Sequence, residues 1–166
     1  SMSRLMIDET LLDAVIEGTL AGLSMSGIEP EPIGATRNLN ATRPYSVLVN
    51  LGGDRNGTVT LNFAEETVRF LVAHTFGEEM MDDLDDESFD AICEIGNIVA
   101  GRIKSLLQDT EWAFQTISLP ALVVGANYNL YHYRGITTLA VEFAIPEISA
   151  HRRERFFTAA ITLMET

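Results

Sequence analysis

Glu94 and Asn97 stand three residues apart in the stretch Asp90-Ala-Ile-Cys-Glu-Ile-Gly-Asn-Ile-Val-Ala-Gly101. On a helix, residues at that spacing are surface neighbours. A carboxylate and a carboxamide would then point the same way. A carboxamide donates and accepts hydrogen bonds and stays neutral at every relevant pH, so it can position a water molecule without being tuned. A carboxylate can give a charge-assisted hydrogen bond to a cation. The pair is also a common pattern on ordinary polar helix faces. Its surroundings raise its interest: Gly101 lies one turn further along the same stripe, and Ile95 and Ile98 flank it.

The element that must position this pair is one long amphipathic helix, Asp85 to Gln108. Asp85-Asp86-Glu87-Ser88 is a helix start, with Asp85 as the cap and acidic neighbours at the positive end of the macrodipole. Leu84 and Phe89 have the spacing of a hydrophobic staple. Phe89, Ile92, Cys93, Gly96, Val99, Ala100, Ile103, Leu106 and Leu107 recur at the helical period and predict a buried face. Asp90, Glu94, Asn97, Gly101, Lys104 and Gln108 form the opposite stripe. Each helix-interior glycine costs about 1 kcal/mol relative to alanine. Gly96, on the core side, predicts close packing against another element. Gly101, on the polar side, predicts close approach by a partner. Ile95 and Ile98 are expected partly outside the core, as apolar contacts for that partner.

The Glu94-Ile-Gly-Asn97-Ile-Val-Ala-Gly101 run closely resembles the active helix of the CheC/CheX chemotaxis phosphatases, in which a glutamate is followed three residues later by an asparagine and then by an Ala-Gly pair. Gly57-Thr-Val-Thr-Leu-Asn-Phe-Ala-Glu-Glu66, Gly77-Glu-Glu and Ile117-Ser-Leu-Pro-Ala-Leu-Val-Val-Gly125 resemble the CheX pattern in the same order. The resemblance implies a phosphatase acting on the aspartyl phosphate of a CheY-like response-regulator receiver. Asn97 would orient the attacking water, and Glu94 would pair with the receiver's active-site lysine. Magnesium would come from the receiver, and the chain would need no metal or nucleophile of its own. The resemblance also implies a homodimer built through the sheet. CheC-type relatives carry a second signature on their first helix. Here Glu17 is followed at that spacing by Leu20, so the likeness is to the single-site CheX type. Arg102 departs from the polar uncharged residue that often follows the Ala-Gly pair, which bears on partner specificity more than on chemistry.

The remaining sequence predicts an α+β domain, with helices packed against a largely antiparallel sheet. A first helix runs from Ile7 to Met25 and ends at Ser26-Gly27. Strands follow at Ile33–Asn38, Ser46–Leu51 and Thr58–Phe63, the last two joined by a hairpin turn over Gly52–Gly57. A helix from Ala64 or Glu65 to Phe76 closes at Gly77. The acidic run Glu78 to Asp86 reads as linker and helix cap, not as a calcium loop, since no glycine stands at the turn position. After the central helix, Phe114–Gly125 splits at Pro120, which predicts an edge or bulge. Strands at Tyr128–Tyr133, Thr137–Ile145 and Phe156–Met164 complete the chain, with Arg134-Gly135 as a turn.

A length of 166 residues fits one domain over residues 1–166, apart from Ser1, which stands ahead of Met2 like a cloning remnant. A net charge of −13 argues against nucleic acid and anionic membranes as partners. It also argues against Tyr128, Tyr131 and Tyr133 as a base-stacking platform. His74, His132 and His151 share no metal-ligand spacing, and Cys93 cannot form an internal disulfide. No transmembrane-length apolar run or signal peptide is visible, so a cytoplasmic protein is expected. Two alternatives compete with the phosphatase. One is a non-catalytic module of the same fold that captures a receiver or flagellar switch component. The other is an unrelated hydrolase with Glu94 as general base, disfavoured by the solvated helix face.

Overall fold

The computed structural model describes residues 7–77, 83–128, 136–149 and 151–164. The helices are α1 (Glu9–Ser24), α2 (Glu65–Phe76) and α3 (Asp86–Leu106). The strands are β1 (Glu31–Thr36), β2 (Tyr45–Gly52), β3 (Gly57–Phe63), β4 (Thr116–Ile117), β5 (Ala121–Val124), β6 (Ile136–Ala144) and β7 (Phe156–Met164). They form one sheet in the order β1-β6-β7-β3-β2-β4, with β5 also on the outer side of β2. Every pairing is antiparallel. The α+β arrangement expected from the sequence is therefore the one observed.

Alternation along the strands creates the core. Val47, Val49 and Leu51 of β2 lie on the same face as Val59, Leu61 and Phe63 of β3. Leu139, Val141 and Phe143 of β6 and Phe157, Ala159, Ile161 and Leu163 of β7 continue that face. The helices close over it. α1 packs on α3 and reaches β6 and β7, whereas α3 lies over β2 and β3. The order of the strands thus places α3 at the β2 end of the sheet, beside the short edge strands β4 and β5.

The other face of the sheet is polar yet buried, with Ser46, Thr60, Asn62, Thr138, Thr158 and Thr162 all shielded. Topology explains this. The chain leaves β1 at one edge and must pass β6, β7 and β3 to reach β2. Residues 37–44 make that crossing, and Arg43 ties it down. Its guanidinium donates to Thr158 Oγ1 at 3.0 Å and to Glu142 Oε1 at 2.7 Å. Asn62 Oδ1 accepts from the Arg43 backbone N–H at 3.2 Å. The segment after β5 joins the crossing, with Gly125 N–H donating to the Pro44 carbonyl and Asn127 N–H to that of Ala41.

Departures from the sequence reading are local. The first strand is Glu31–Thr36 rather than Ile33–Asn38. It sits at the sheet edge and carries a register shift between Pro32 and Gly34, as proline permits only there. Tyr128 makes an isolated bridge with Ala41. The rest of the expected Tyr128–Tyr133 strand, the Arg134-Gly135 turn and Glu78 to Asp82 of the acidic run lie outside the described residues. The split at Pro120 appears as β4 and β5, both antiparallel to β2.

Candidate functional site on the third helix

α3 begins at a reciprocal cap. Asp85 Oδ1 accepts from the Ser88 backbone N–H at 2.9 Å, and the Ser88 side chain meets the Asp85 backbone N–H. The Ser88 backbone N–H, and after it the Ser88 hydroxyl donating to Asp85 Oδ1 at 3.0 Å, hold the Asp85 carboxyl below its ordinary value. Leu84 packs against the core just before the cap, and Phe89 in the first turn meets the Tyr45 ring, with centroids 6.0 Å apart.

Three helix-interior glycines fix the height of α3. A Cβ on Gly96 would stand 2.5 Å from Val47 Cγ1 on β2. A Cβ on Gly18 would stand 2.5 Å from Ile103 Cγ1, and one on Gly22 would collide with Val99 Cγ2. The sequence reading anticipated the Gly96 contact. It missed the α1 seat, although Gly18 and Gly22 at i, i+4 were its visible signal.

With α3 anchored on β2 below, on α1 to one side and against α2 as well, the arc that carries Glu94 and Asn97 is left toward solvent. Glu94 is exposed and Asn97 half-buried. Neither side chain makes a hydrogen bond or ion pair among the described residues. Both polar groups thus lie one turn apart on the solvent side of α3, with no partner among the described residues. Gly101 follows on the same arc, and nothing lies within 4 Å of where its Cβ would be. Unlike the other three glycines, it has no packing neighbour among the described residues.

The two flanking isoleucines part ways. Ile98 is half-buried at the margin of the exposed arc. Ile95 was expected there too, but it is only 4% exposed. It belongs to the flank covered by α1, where its carbonyl stands 3.4 Å from a Cβ built on Gly22. Ile95 is a core residue and not a surface contact. Cys93 is half-buried, and burial followed by the charge of Asp90 pushes its thiol up, which suits an unreactive thiol.

The site is a convex helix face. Depressions of about 350 and 410 Å3 lie elsewhere, one beneath the 37–41 crossing and one at the end of the β2–β3 hairpin. Among the described residues, no group of three or more His, Cys, Asp or Glu side chains could hold a metal ion, and no helix is long and apolar enough to cross a membrane. A protruding helix with free polar groups suits a concave site on another macromolecule better than a small ligand, which needs concave walls. Beside α3, the β4–β5 edge leaves Leu119 89% and Val124 62% exposed.

The family model for the chemotaxis phosphatase CheX matches residues 45–144, more than half of the chain and all of α3. The chain belongs to the CheX family. No curated protein matches it significantly in sequence. The fold is shared with a CheC-like superfamily protein from Shewanella sp. PV-4 at a TM-score of 0.78 and 20% identity, covering 96% of this chain and 100% of that one. A CheX from Desulfovibrio desulfuricans superposes at 0.73 with 22% identity, covering 92% and 98%. The structure of a CheX–CheY–BeF3–Mg2+ complex from Borrelia burgdorferi matches at 0.72 with 26% identity, covering 96% of this chain and 100% of that one. On α1, Leu20 stands three residues after Glu17, and Glu17 is an exposed surface residue.

Proposed function

We propose that this CheX-family protein dephosphorylates the aspartyl phosphate of a CheY-like receiver. The observation that carries the reading is the Glu94–Asn97 pair on the solvent side of a closely seated helix, without a partner among the described residues. The CheX–CheY complex from Borrelia burgdorferi, which contains BeF3 and Mg2+, supports a receiver as the partner class.

An aspartyl phosphate in a receiver already sits beside magnesium. Faster hydrolysis then chiefly requires a water held in line with the phosphorus. Asn97 does this, its carboxamide accepting from the water and donating toward the phosphoryl oxygens. Glu94, one turn back, pairs with the receiver's active-site lysine and fixes the depth of insertion. Ile98 supplies apolar contact, and Gly101 lets the partner backbone approach. The chain brings no metal of its own. The protein acts as a homodimer joined through its sheet, an assignment supported by the apolar β4–β5 edge, since an unpaired edge strand templates pairing with another chain.

Phosphate release from magnesium-loaded, phosphorylated CheY-type receivers tests this. Acceleration by the wild-type protein is the expected result. Phosphorylation-dependent binding without acceleration would replace the enzyme with a capture module of the same fold.

A further inference from the structure

Lys104 is the only lysine in the sequence. It lies on the Asn97 side of α3, seven residues further on, which is about 10 Å along the helix at 1.5 Å per residue. Arg102 is exposed on the opposite shoulder, and Gly101 is the bare position beside them. Arg43, Arg69 and Arg152 are matched to carboxylates, and Arg55 and Arg155 lie over aromatic rings. Arg102 and Lys104, like Arg37 and Arg153, have no such partner among the described residues. Charge is segregated along the length of α3. Asp86, Glu87, Asp90 and Glu94 are exposed along its first half, and in its second half, half-buried Lys104 and exposed Arg102 flank the Gly101 arc from opposite sides.

We infer that Arg102 and Lys104 form a second anchor for the receiver and fix the direction in which it lies along α3. The inference rests on the phosphatase reading. A phosphorylated receiver presents an anionic phosphoryl group on a magnesium site, and such sites are built from carboxylates. A chain of net charge −13 repels that surface almost everywhere. The C-terminal half of α3 attracts it, while Glu94 attracts the lysine beside the phosphate. A receiver turned end for end would set acid against acid at Glu94 and leave both cations unmatched, so the reversed pose is rejected. At about 10 Å from Asn97, Lys104 is a positioning residue and touches no reacting atom.

The competing role for Lys104 is to offset the negative end of the helix dipole, which would show in stability alone. The test compares the wild type with the Arg102→Glu/Lys104→Glu double variant and with Lys104→Gln. Both binding to a beryllofluoride-loaded, magnesium-bound CheY-type receiver and phosphate release from the phosphorylated one are measured at low and high salt. Rim charges act mainly on association and its salt dependence. The expected result is a KM and Kd raised about tenfold by the double variant at low salt, with kcat within about twofold of wild type and a flatter salt dependence. Lys104→Gln should fall between. Unchanged KM, Kd and salt slope in variants whose Tm shows them folded would overturn the anchor and leave the phosphatase reading standing. A wild-type protein that neither binds nor dephosphorylates any receiver of a panel would overturn both.

Discussion

At the scale of single residues, the glycines of the helices separate fold from function. Gly96, Gly18 and Gly22 each have an atom of a neighbouring element where a side chain would go, whereas Gly101 has open space. Gly101→Ala should therefore stabilise the isolated protein by up to about 1 kcal/mol, the usual helix-interior difference, while weakening receiver binding. Thermal unfolding alongside receiver titration checks both halves; a loss of stability would show that the glycine serves the fold after all. Gly22→Val should do the opposite and destabilise by about 1–3 kcal/mol through overpacking against Val99, with a lower denaturation midpoint as the readout. Sequence alone exposed the Glu94–Asn97 spacing, the Gly96 contact and the bare Gly101. It misjudged Ile95 because periodicity gives the width of a buried face only when the neighbours on both flanks are known. α1, which covers Ile95, comes from a distant part of the chain.

At the scale of elements, α3 was legible because its signals agree: a capping aspartate, a staple, a 3.6-residue apolar period and no proline. The short pieces were harder. β1 lies at an edge and reads as exposed along most of its length, so no alternation marks its ends. The polar second face of the sheet was invisible for a different reason. Its burial depends on the 37–44 crossing, which is a consequence of strand order and not of local pattern. The cap gives a pH expectation with a definite sign. Hydrogen bonds lower the folded-state pKa of Asp85 below its unfolded value of about 3.9. Its contribution is thus fully present above that value and is lost as the pH falls through the folded pKa. Asp85→Ala should lower the Tm at pH 7, and the gap from wild type should narrow in melts taken progressively further below pH 4. A gap of constant size across that range would remove the charged cap from the account.

At the scale of the whole molecule, the sheet holds α3 at one end with its outer face free, next to an edge strand that is itself apolar and exposed. Val124 and Leu119 there are 62% and 89% exposed, which suits contact with a second copy. The proposed homodimer through this edge predicts a dimeric wild type and a monomeric Val124→Lys/Leu119→Lys variant in sedimentation equilibrium, with unchanged far-ultraviolet circular dichroism. A dimer that persists in that variant would move the contact to another surface. The account as a whole stands on Asn97, because the fold accommodates a receiver-binding protein and a receiver phosphatase equally well and only the carboxamide distinguishes them. The most direct measurement is the rate of phosphate release from a magnesium-loaded, phosphorylated CheY-type receiver with wild-type protein and with Asn97→Ala, receiver affinity being measured in parallel. The account predicts that the variant still binds but that its acceleration falls by about a hundredfold or more, the scale seen when a group that stabilises a transition state is removed. Acceleration that survives in Asn97→Ala would contradict it.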